Sequence, residues 1–353
     1  MFDAHVHYAR TQDPQRFEAV LRQNGITTCT LQCIAQMGTR STVPDALAFK
    51  AAHPGTVYVQ GGFDRNVYFL LKDDPDALGR SLHTQAQALL DAGCDGVKML
   101  EGKPDIRRSF PIPDFDSAAW EPFWAFAEEH AVPVTMHVND PEEFWDAARI
   151  NPYAKAEGWF YGPETINNEE QYRQMDAVLA RHPQLHLQLA HMYFFSAQLP
   201  RLTRLLRAYP EVRVDLTPGI ELYTNLAKNL PAAHAFFDEF GTRILYGSDI
   251  GSRSCIAQPP KPIDYDESAA RVHIIRTFLE TDEDYTLVPD GKYLFRIDPT
   301  PMHGLGLGKE ALTRIYETNA RAFFGAQPQP ADAGAAAALT AEFARTARAV
   351  QNG

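Results

Sequence analysis

The sequence predicts a single α/β domain of the TIM (β/α)8 barrel class, and three observations support this prediction. Short apolar segments alternate with segments of helical period along most of the 353 residues. Eight apolar segments are found, and eight parallel strands close this barrel. Most of them lack the alternation of a sheet with one wet face, which indicates strands covered by helices. An open doubly wound sheet is the alternative, but no GxGxxG motif follows the first strand.

Several of the strands follow one sequence pattern. A helical segment reaches an aromatic residue or a histidine with a proline close by, and a short apolar run follows, as in "VLARHPQLHLQLAH". The helix must stop near the proline, because proline fits neither a helix interior nor a sheet ladder. The predicted strands are residues 2–7, 26–34, 56–62, 95–100, 133–138, 185–191, 211–216 and 243–249.

The barrel is expected to occupy residues 1–325, followed by an alanine- and proline-rich linker and a C-terminal helix within residues 326–353. In that helix Leu339, Phe343 and Val350 fall on one apolar stripe. We expect the stripe to dock on the barrel or on a second subunit.

The composition excludes several classes of partner. The formal charge is -12 and no block of lysine or arginine is present, so neither nucleic acid nor an anionic membrane surface is expected. No apolar run is long enough for a transmembrane helix, and no secretory leader precedes the first motif, so a cytoplasmic location is expected. The four cysteines lack CxxC spacing and are expected to be reduced and buried.

Four histidines and an aspartate lie at the C-terminal ends of predicted strands, where barrel enzymes carry their chemistry. His5 and His7 are two residues apart on the first strand, so their side chains share one face. His137, His191 and Asp249 end the fifth, sixth and eighth strands. Ordinary alternatives exist for most of them: a wet edge strand for His5 and His7, a bond to a loop for His191 and a helix cap for Asp249.

Five sequence segments together resemble the amidohydrolase superfamily, and more narrowly its amidohydrolase-2 branch, which includes aminocarboxymuconate semialdehyde decarboxylase. They are "DAHVH", "VTMHVNDP", "LAHM", "LYGSD" and "IYETNARAFFG". The resemblance covers roughly residues 1–325 and implies a metal site in a barrel. Because the branch contains both hydrolases and lyases, the resemblance does not fix the reaction. It also makes a homodimer possible.

The resemblance implies that His5, His7, His137 and Asp249 bind a divalent metal ion. Zinc is expected first, with manganese, cobalt or iron as alternatives. Asp249 would also accept the proton of the attacking water, and His191 would act as a general acid or base.

Lys98 lies in "GVKML" on the fourth strand, where binuclear members of the superfamily carry a carboxylated lysine that bridges two ions. One ion is expected, and two ions are the alternative, in which case His191 becomes a ligand of the second ion. Lys98 could equally pair with Asp249 or Glu101, or hold a substrate anion, because an unpaired buried ammonium is costly.

The loops after the predicted strands supply candidate substrate groups. Arg65 follows the third strand and Arg253 the eighth, and either could bind a substrate carboxylate, although surface ion pairing is the commoner role of arginine. Trp159 lies in the long loop after the fifth strand and could line a pocket or simply pack. Beyond the eighth strand a hairpin is predicted to turn at Asp290–Gly291.

The sequence therefore predicts a metal-dependent hydrolase of a small molecule, in which activated water cleaves an amide, ester or lactone bond. The alternative is a metal-dependent decarboxylase of an unsaturated or aromatic carboxylic acid. A third hypothesis is a metal-binding barrel without catalytic activity. A hydrolase releases a new acid or alcohol, whereas a decarboxylase releases carbon dioxide.

Overall fold

The structure is a computed structural model that describes residues 1–35, 40–219, 221–257, 259–286 and 301–352. One sheet contains eight strands in chain order, and every neighbouring pair is parallel. The strands are β1 (Phe2–Val6), β2 (Thr28–Gln32), β3 (Val57–Gly62), β4 (Gly96–Gly102), β5 (Val134–Val138), β6 (Leu187–Leu189), β7 (Val212–Asp215) and β8 (Ile244–Leu245).

Helices follow the strands and cover the outside of the sheet. They are α1 (Pro14–Gln23), α2 (Val43–Ala52), α3 (Asn66–Leu70), α4 (Pro75–Asp91), α5 (Pro104–Ser109), α6 (Glu121–Glu129), α7 (Pro152–Ala156), α8 (Asn168–Arg181), α9 (Leu199–Ala208), α10 (Leu222–Ala227), α11 (Leu230–Phe240), α12 (Ser252–Ile256), α13 (Tyr265–Glu280), α14 (Lys309–Thr313), α15 (Asn319–Phe324) and α16 (Ala333–Asn352).

Backbone hydrogen bonds between β8 and β1 close the sheet into a barrel. Val6 forms a parallel bridge with Ile250, and the Asp249 amide donates to the His5 carbonyl at 2.8 Å. The predicted TIM barrel is therefore confirmed. Most strands are shorter than predicted, whereas β4 extends to Gly102, two residues beyond its predicted end. Strand β6 ends at Leu189 because the chain then enters a left-handed turn.

Helix α4 shows how the sequence covers the barrel. The Asp74 carboxylate caps its first turn by accepting from the Ala77 amide at 2.9 Å, which satisfies an otherwise free donor. Leu78, Leu82 and Leu89 recur at helical spacing, and all are buried. These three side chains form the stripe that packs on the sheet.

The barrel interior below the C-terminal rim is polar. The Thr135 hydroxyl lies 2.5 Å from Gln60 Oε1 and 3.1 Å from Gln188 Oε1. Gln188 in turn donates to Asp215 at 2.7 Å. This buried layer supports Asp215 from below, which matters for the site described next.

Helix α16 packs against α2, α3 and α4. Its buried side chains are Leu339, Phe343 and Thr346, while Val350 is only partly covered. The Thr346 hydroxyl bonds the carboxylate of Asp64, which follows β3. The helix is thus attached to the early part of the barrel by an apolar stripe and one buried polar contact.

Two further strands, β9 (Asp284–Thr286) and β10 (Pro301–His303), pair antiparallel. The predicted turn at Asp290–Gly291 lies outside the described residues. The four cysteines are unpaired and buried, as predicted. Within the described ranges, no helix is long and apolar enough to cross a membrane.

Candidate metal centre

His5 lies on β1 and His7 directly follows it, so both stand at the mouth, meaning the rim formed by the C-terminal ends of the strands. His7 Nδ1 lies 2.6 Å from the Gln32 carbonyl, and because a carbonyl only accepts, this nitrogen carries the proton. His5 Nδ1 lies 2.8 Å from Asp215 Oδ2 and 3.1 Å from the Thr217 hydroxyl. Partners at Nδ1 fix both rings so that Nε2 faces the centre of the mouth, as metal-binding imidazoles require.

Asp249 completes a group of three. It follows β8 in a left-handed conformation, with φ of 60°, which turns its side chain toward β1. Its Oδ1 lies 3.1 Å from His7 Nε2 and 3.9 Å from His5 Nε2. The three donor atoms lie within 4.8 Å of one another. Among the described residues, His5, His7 and Asp249 are the group of histidine, cysteine, aspartate or glutamate side chains that come this close together. We call them the three-ligand group.

The donor chemistry of the three-ligand group fits a cation. When Nδ1 alone carries a proton, His7 presents a lone pair on Nε2, and the Asp249 carboxylate offers only lone pairs. Two acceptors that face each other at 3.1 Å repel unless a proton or a cation lies between them. Two ligand atoms at about 2.1 Å from one ion are themselves about 3 Å apart, so the spacing suits a divalent metal.

The second oxygen of Asp249 is held from the opposite side. Oδ2 accepts from Arg271 Nη1 at 2.9 Å and from the Ser252 hydroxyl at 2.8 Å. Although burial alone raises the pKa of Asp249, the Arg271 guanidinium and His7 hold it well below its ordinary value. Asp249 is therefore an ionised carboxylate.

Lys98 already places a positive charge beside the three-ligand group. Its Nζ lies 3.2 Å from His5 Nε2, and the side chain is buried. Burial lowers the pKa of Lys98 to about 8, against the opposing effect of Asp215 and Asp249. Burial and the Lys98 charge lower the pKa of His5 to about 4, so His5 is neutral and accepts from the ammonium. An ion and the ammonium therefore compete for the same lone pair.

His137 lies at the same mouth but outside the three-ligand group. Its Nε2 lies 3.3 Å from Asp140 Oδ1, and the other Asp140 oxygen lies 2.6 Å from Lys103 Nζ and 2.5 Å from the Tyr161 hydroxyl. The structure thus places this predicted ligand in a second polar network, on the β5 side of the mouth.

His191 lies in a left-handed turn just after β6. Residues 191–194 all have positive φ, between 50° and 59°, an arrangement that costs on the order of 1 kcal/mol or more per residue. Asp215 holds the turn by accepting from the His191 amide at 2.8 Å. His191 Nδ1 lies 3.1 Å from the Thr217 carbonyl, which assigns the proton to Nδ1 and leaves a lone pair on Nε2. Burial, with His137, lowers the pKa of His191 to about 3.

The predicted substrate residues have varied surroundings. Arg253 contacts the Tyr153 hydroxyl and lies 3.6 Å from Glu157, so it joins α12 to α7 across the rim. The Arg65 guanidinium is buried and lies 5.4 Å from the centre of the Phe110 ring.

Trp159 lies beside the polar network on the β5 side of the mouth. Its ring lies 6.1 Å from that of Phe144, and Lys103 Nζ lies 5.1 Å from its centre. Of the three predicted substrate residues, Trp159 is the one that contacts a charged group of the β5 network.

Sequence reasoning missed Asp215, Arg271 and Lys103. Asp215 ends β7, so the rule that selected Asp249 would also have found it. Arg271 stands four residues after Glu267, a spacing that indicates an ion pair but does not reveal burial. Lys103 just follows β4, where nothing in the sequence distinguished it from a surface lysine.

The fold and the site together define a parallel eight-stranded barrel with a candidate metal centre at its C-terminal rim. The amidohydrolase family model matches residues 2–326, and the chain belongs to this family. A search of curated proteins by sequence found no match.

Solved structures share the fold at low sequence identity. A protein described as amidohydrolase II is 15% identical with a TM-score of 0.57, over 92% of this chain and 99% of that chain. A 2,6-dihydroxybenzoate decarboxylase bound to 2,6-dihydroxybenzoate is 14% identical with a TM-score of 0.53, over 92% and 98%. A probable 2-pyrone-4,6-dicarboxylic acid hydrolase from Acinetobacter baumannii with citric acid bound is 13% identical with a TM-score of 0.51, over 92% and 98%. At these identities the likeness extends to the fold, which hosts both hydrolases and decarboxylases.

Proposed function

We propose that the protein is a metal-dependent hydrolase that cleaves an amide, ester or lactone bond of a small molecule. The observation that carries this proposal is the approach of His7 Nε2 to Asp249 Oδ1 at 3.1 Å at the mouth of the barrel, because two such atoms require a proton or a cation between them. A divalent ion bound there, zinc first or else manganese, cobalt or iron, would polarise a carbonyl and make water more acidic.

His5, His7 and Asp249 would hold this ion. His137 is the proposed fourth ligand, and it would first have to turn from Asp140, which it now contacts at 3.3 Å. The Gln32 carbonyl and the Asp215 carboxylate keep the β1 imidazoles oriented whether or not an ion is present. The donors on β1 and β8 are therefore preorganised, and the donor on β5 is not.

His191 supports hydrolysis over decarboxylation. The neutral ring carries its proton on Nδ1 and offers the Nε2 lone pair to water. Because burial lowers its pKa to about 3, it would take a proton only from water that a bound ion had made more acidic, and it would then return that proton readily to the leaving group. Decarboxylation of an unsaturated acid instead needs a proton delivered to carbon, for which the ring would have to start protonated. We propose Asp249 and His191 as the groups that move protons.

Lys98 bears on the number of ions. Its contact with His5 Nε2 at 3.2 Å supports a site for one ion, with the ammonium displaced or bound to substrate. Carboxylation of Lys98 would convert the same residue into a bridging ligand for two ions, with His191 on the second. We propose the mononuclear form.

The proposal is tested with protein purified without added metal or chelator. Elemental analysis should find about one divalent ion per chain. Of a broad panel, at least one ester or lactone should release a proton in a pH-stat assay, or at least one amide should release an amine that a primary-amine reagent detects. Dialysis against a chelator and His7→Ala should each abolish that release. His182→Gln is the matched control, because His182 lies away from the mouth between Glu121 and Glu128. Turnover that persists after complete ion removal, or release of carbon dioxide alone, would contradict the proposal.

A further inference from the structure

Arg271 of α13 is a fully buried arginine that reaches the candidate metal centre from outside the barrel. Its side chain has an exposed fraction of 0%. Nη1 donates to Asp249 Oδ2 at 2.9 Å, and Nε donates to Glu267 Oε1 at 2.6 Å. Glu267 lies one helical turn earlier and is itself buried, so the three side chains form a chain from Glu267 through Arg271 to Asp249.

The contacts of Asp249 assign different roles to its two oxygens. Oδ2 accepts from Arg271 and from the Ser252 hydroxyl, whereas Oδ1 faces His7. The Asp249 amide donates to the His5 carbonyl at 2.8 Å, which fixes the backbone as well. A carboxylate held at its backbone and at one oxygen offers the other oxygen in a single orientation.

This arrangement has an electrostatic cost. A guanidinium that donates to Asp249 lies close to the position of a divalent ion, and two like charges repel strongly where little water screens them. Glu267 offsets this, since its carboxylate makes the pair with Arg271 neutral overall. The Arg271 guanidinium can lie beside a metal site if the free energy gained by orienting Asp249 exceeds its remaining repulsion with the ion.

We propose that Arg271, anchored by Glu267, is a positioning residue that makes Asp249 a single-oxygen ligand before the ion arrives. This inference rests on the proposed metal-dependent function. Arg271 acts through Asp249, so removing it leaves all ligands in place but lets the carboxylate rotate.

The test measures Zn²⁺ affinity by competition with a chromophoric chelator. Arg271→Met should weaken Zn²⁺ binding by about 10- to 100-fold, the range typical when a group that orients a ligand is lost. Arg271→Lys should recover part of the loss, because an ammonium can still donate to Oδ2. Glu267→Gln should weaken binding by a smaller factor. Arg276→Met is the matched control: Arg276 lies on the same helix and pairs with Glu280 at the same spacing, but half exposed at the surface, so it should bind as the wild type does.

A second readout separates positioning from general destabilisation. The visible spectrum of the Co²⁺-loaded protein reports the number of ligands, so Arg271→Met should change its intensity if Asp249 becomes free to bind through both oxygens. Circular dichroism will show whether the variants fold. If Arg271→Met does not fold, Arg271→Lys and Glu267→Gln decide the question.

Unchanged or tighter Zn²⁺ binding in Arg271→Met would overturn the inference, and tighter binding would indicate that repulsion dominates. If Arg271→Met is unfolded, the same results in Arg271→Lys and Glu267→Gln would overturn it. If the wild type binds Zn²⁺ no more tightly than His7→Ala does, the proposed metal function is refuted instead. The two failures are therefore distinguishable.

Discussion

On the β1 and β8 side of the mouth, His5 and His7 present Nε2 to Asp249, whereas on the β5 and β6 side His137 and His191 are turned to other partners. The first side has its Nδ1 atoms tied to a carboxylate and a carbonyl. The second side carries the strained left-handed turn. We propose that the first side binds an ion and that the second moves protons or adjusts when substrate enters.

Asp215 connects the two sides. One oxygen lies 2.8 Å from His5 Nδ1, and the other accepts from the His191 amide at 2.8 Å. The same carboxylate thus orients a ligand on one side and holds the strained turn on the other. Its environment, with these donors and full burial, keeps it ionised, because the donors outweigh the burial that by itself raises its pKa.

The largest effect on Zn²⁺ affinity is expected from replacing a single histidine of the mouth. Comparing one variant from each side tests whether the two sides differ. His7→Ala should weaken Zn²⁺ binding by more than about 100-fold, beyond the range for groups outside the ligand shell, because it removes a buried donor. His137→Ala should weaken binding by a smaller factor, about 10- to 100-fold, because binding through this proposed ligand first requires breaking its contact with Asp140 at 3.3 Å. Chelator competition and elemental analysis measure both. Equal losses would show that both sides supply ligands equally.

The β1 and β8 side also rests on a buried acid. Asp3 accepts from the His5 and Ser248 amides at 3.0 Å each and from the Ser248 hydroxyl. Burial, only partly offset by these bonds, raises the pKa of Asp3 to about 7. The folded state therefore keeps a proton that the unfolded state has lost, so this group's contribution to stability falls as the pH rises from about 4 through 7.

Asp3→Asn should remove that pH dependence, because the amide is neutral and can satisfy the same partners. Relative to the wild type, the variant should gain on the order of 2 kcal/mol in unfolding free energy between pH 5 and pH 8. Urea unfolding at the two pH values measures this difference. A constant difference would mean that Asp3 ionises in the folded protein as readily as in water.

Lys98 stands between the two sides, and its removal distinguishes one ion from two. Lys98→Met should tighten Zn²⁺ binding by about tenfold, equivalent to 1.4 kcal/mol, because the ammonium no longer occupies the lone pair of His5. Lys103→Met is the control, since that ammonium pairs with Asp140. Weaker binding and one ion fewer per chain in Lys98→Met would instead support a carboxylated lysine.

The smallest effect concerns Arg253, which joins the loops of the two sides. Arg253→Ala should change the unfolding free energy by less than about 1 kcal/mol, because its partner Glu157 is partly exposed. Loss of the bridge should speed proteolytic cleavage near α7. A large rise in KM with unchanged proteolysis would favour the alternative role of Arg253 in binding a substrate carboxylate.

The sequence was sufficient for the fold and for part of the site. Proline-terminated helices located the strands, and the two-residue spacing of His5 and His7 placed both imidazoles on one face, as observed. Strand ends were less accurate: His191 was placed at the end of the sixth strand, but it lies in a left-handed turn that local propensity disfavours for such residues.

Side-chain partners could not be predicted, because they depend on which groups the closed barrel brings together. Asp140 is three residues from His137, yet its capture of that imidazole also involves Lys103 and Tyr161. From the sequence alone, Arg271 is predicted to form one half of a surface ion pair on an amphipathic helix. The position of α13, which packs against α1 and α10, directs it inward to Asp249.

The contact of Thr346 with Asp64 has a consequence for how the molecule assembles. It joins residues 282 positions apart in the chain and so closes a loop that contains most of the barrel. Before α16 docks, the groove that receives Leu339 and Phe343 exposes apolar surface on α3 and α4. Because α16 packs on the outside of α2, α3 and α4 through few buried side chains, its amide hydrogens should exchange sooner than those of the strands.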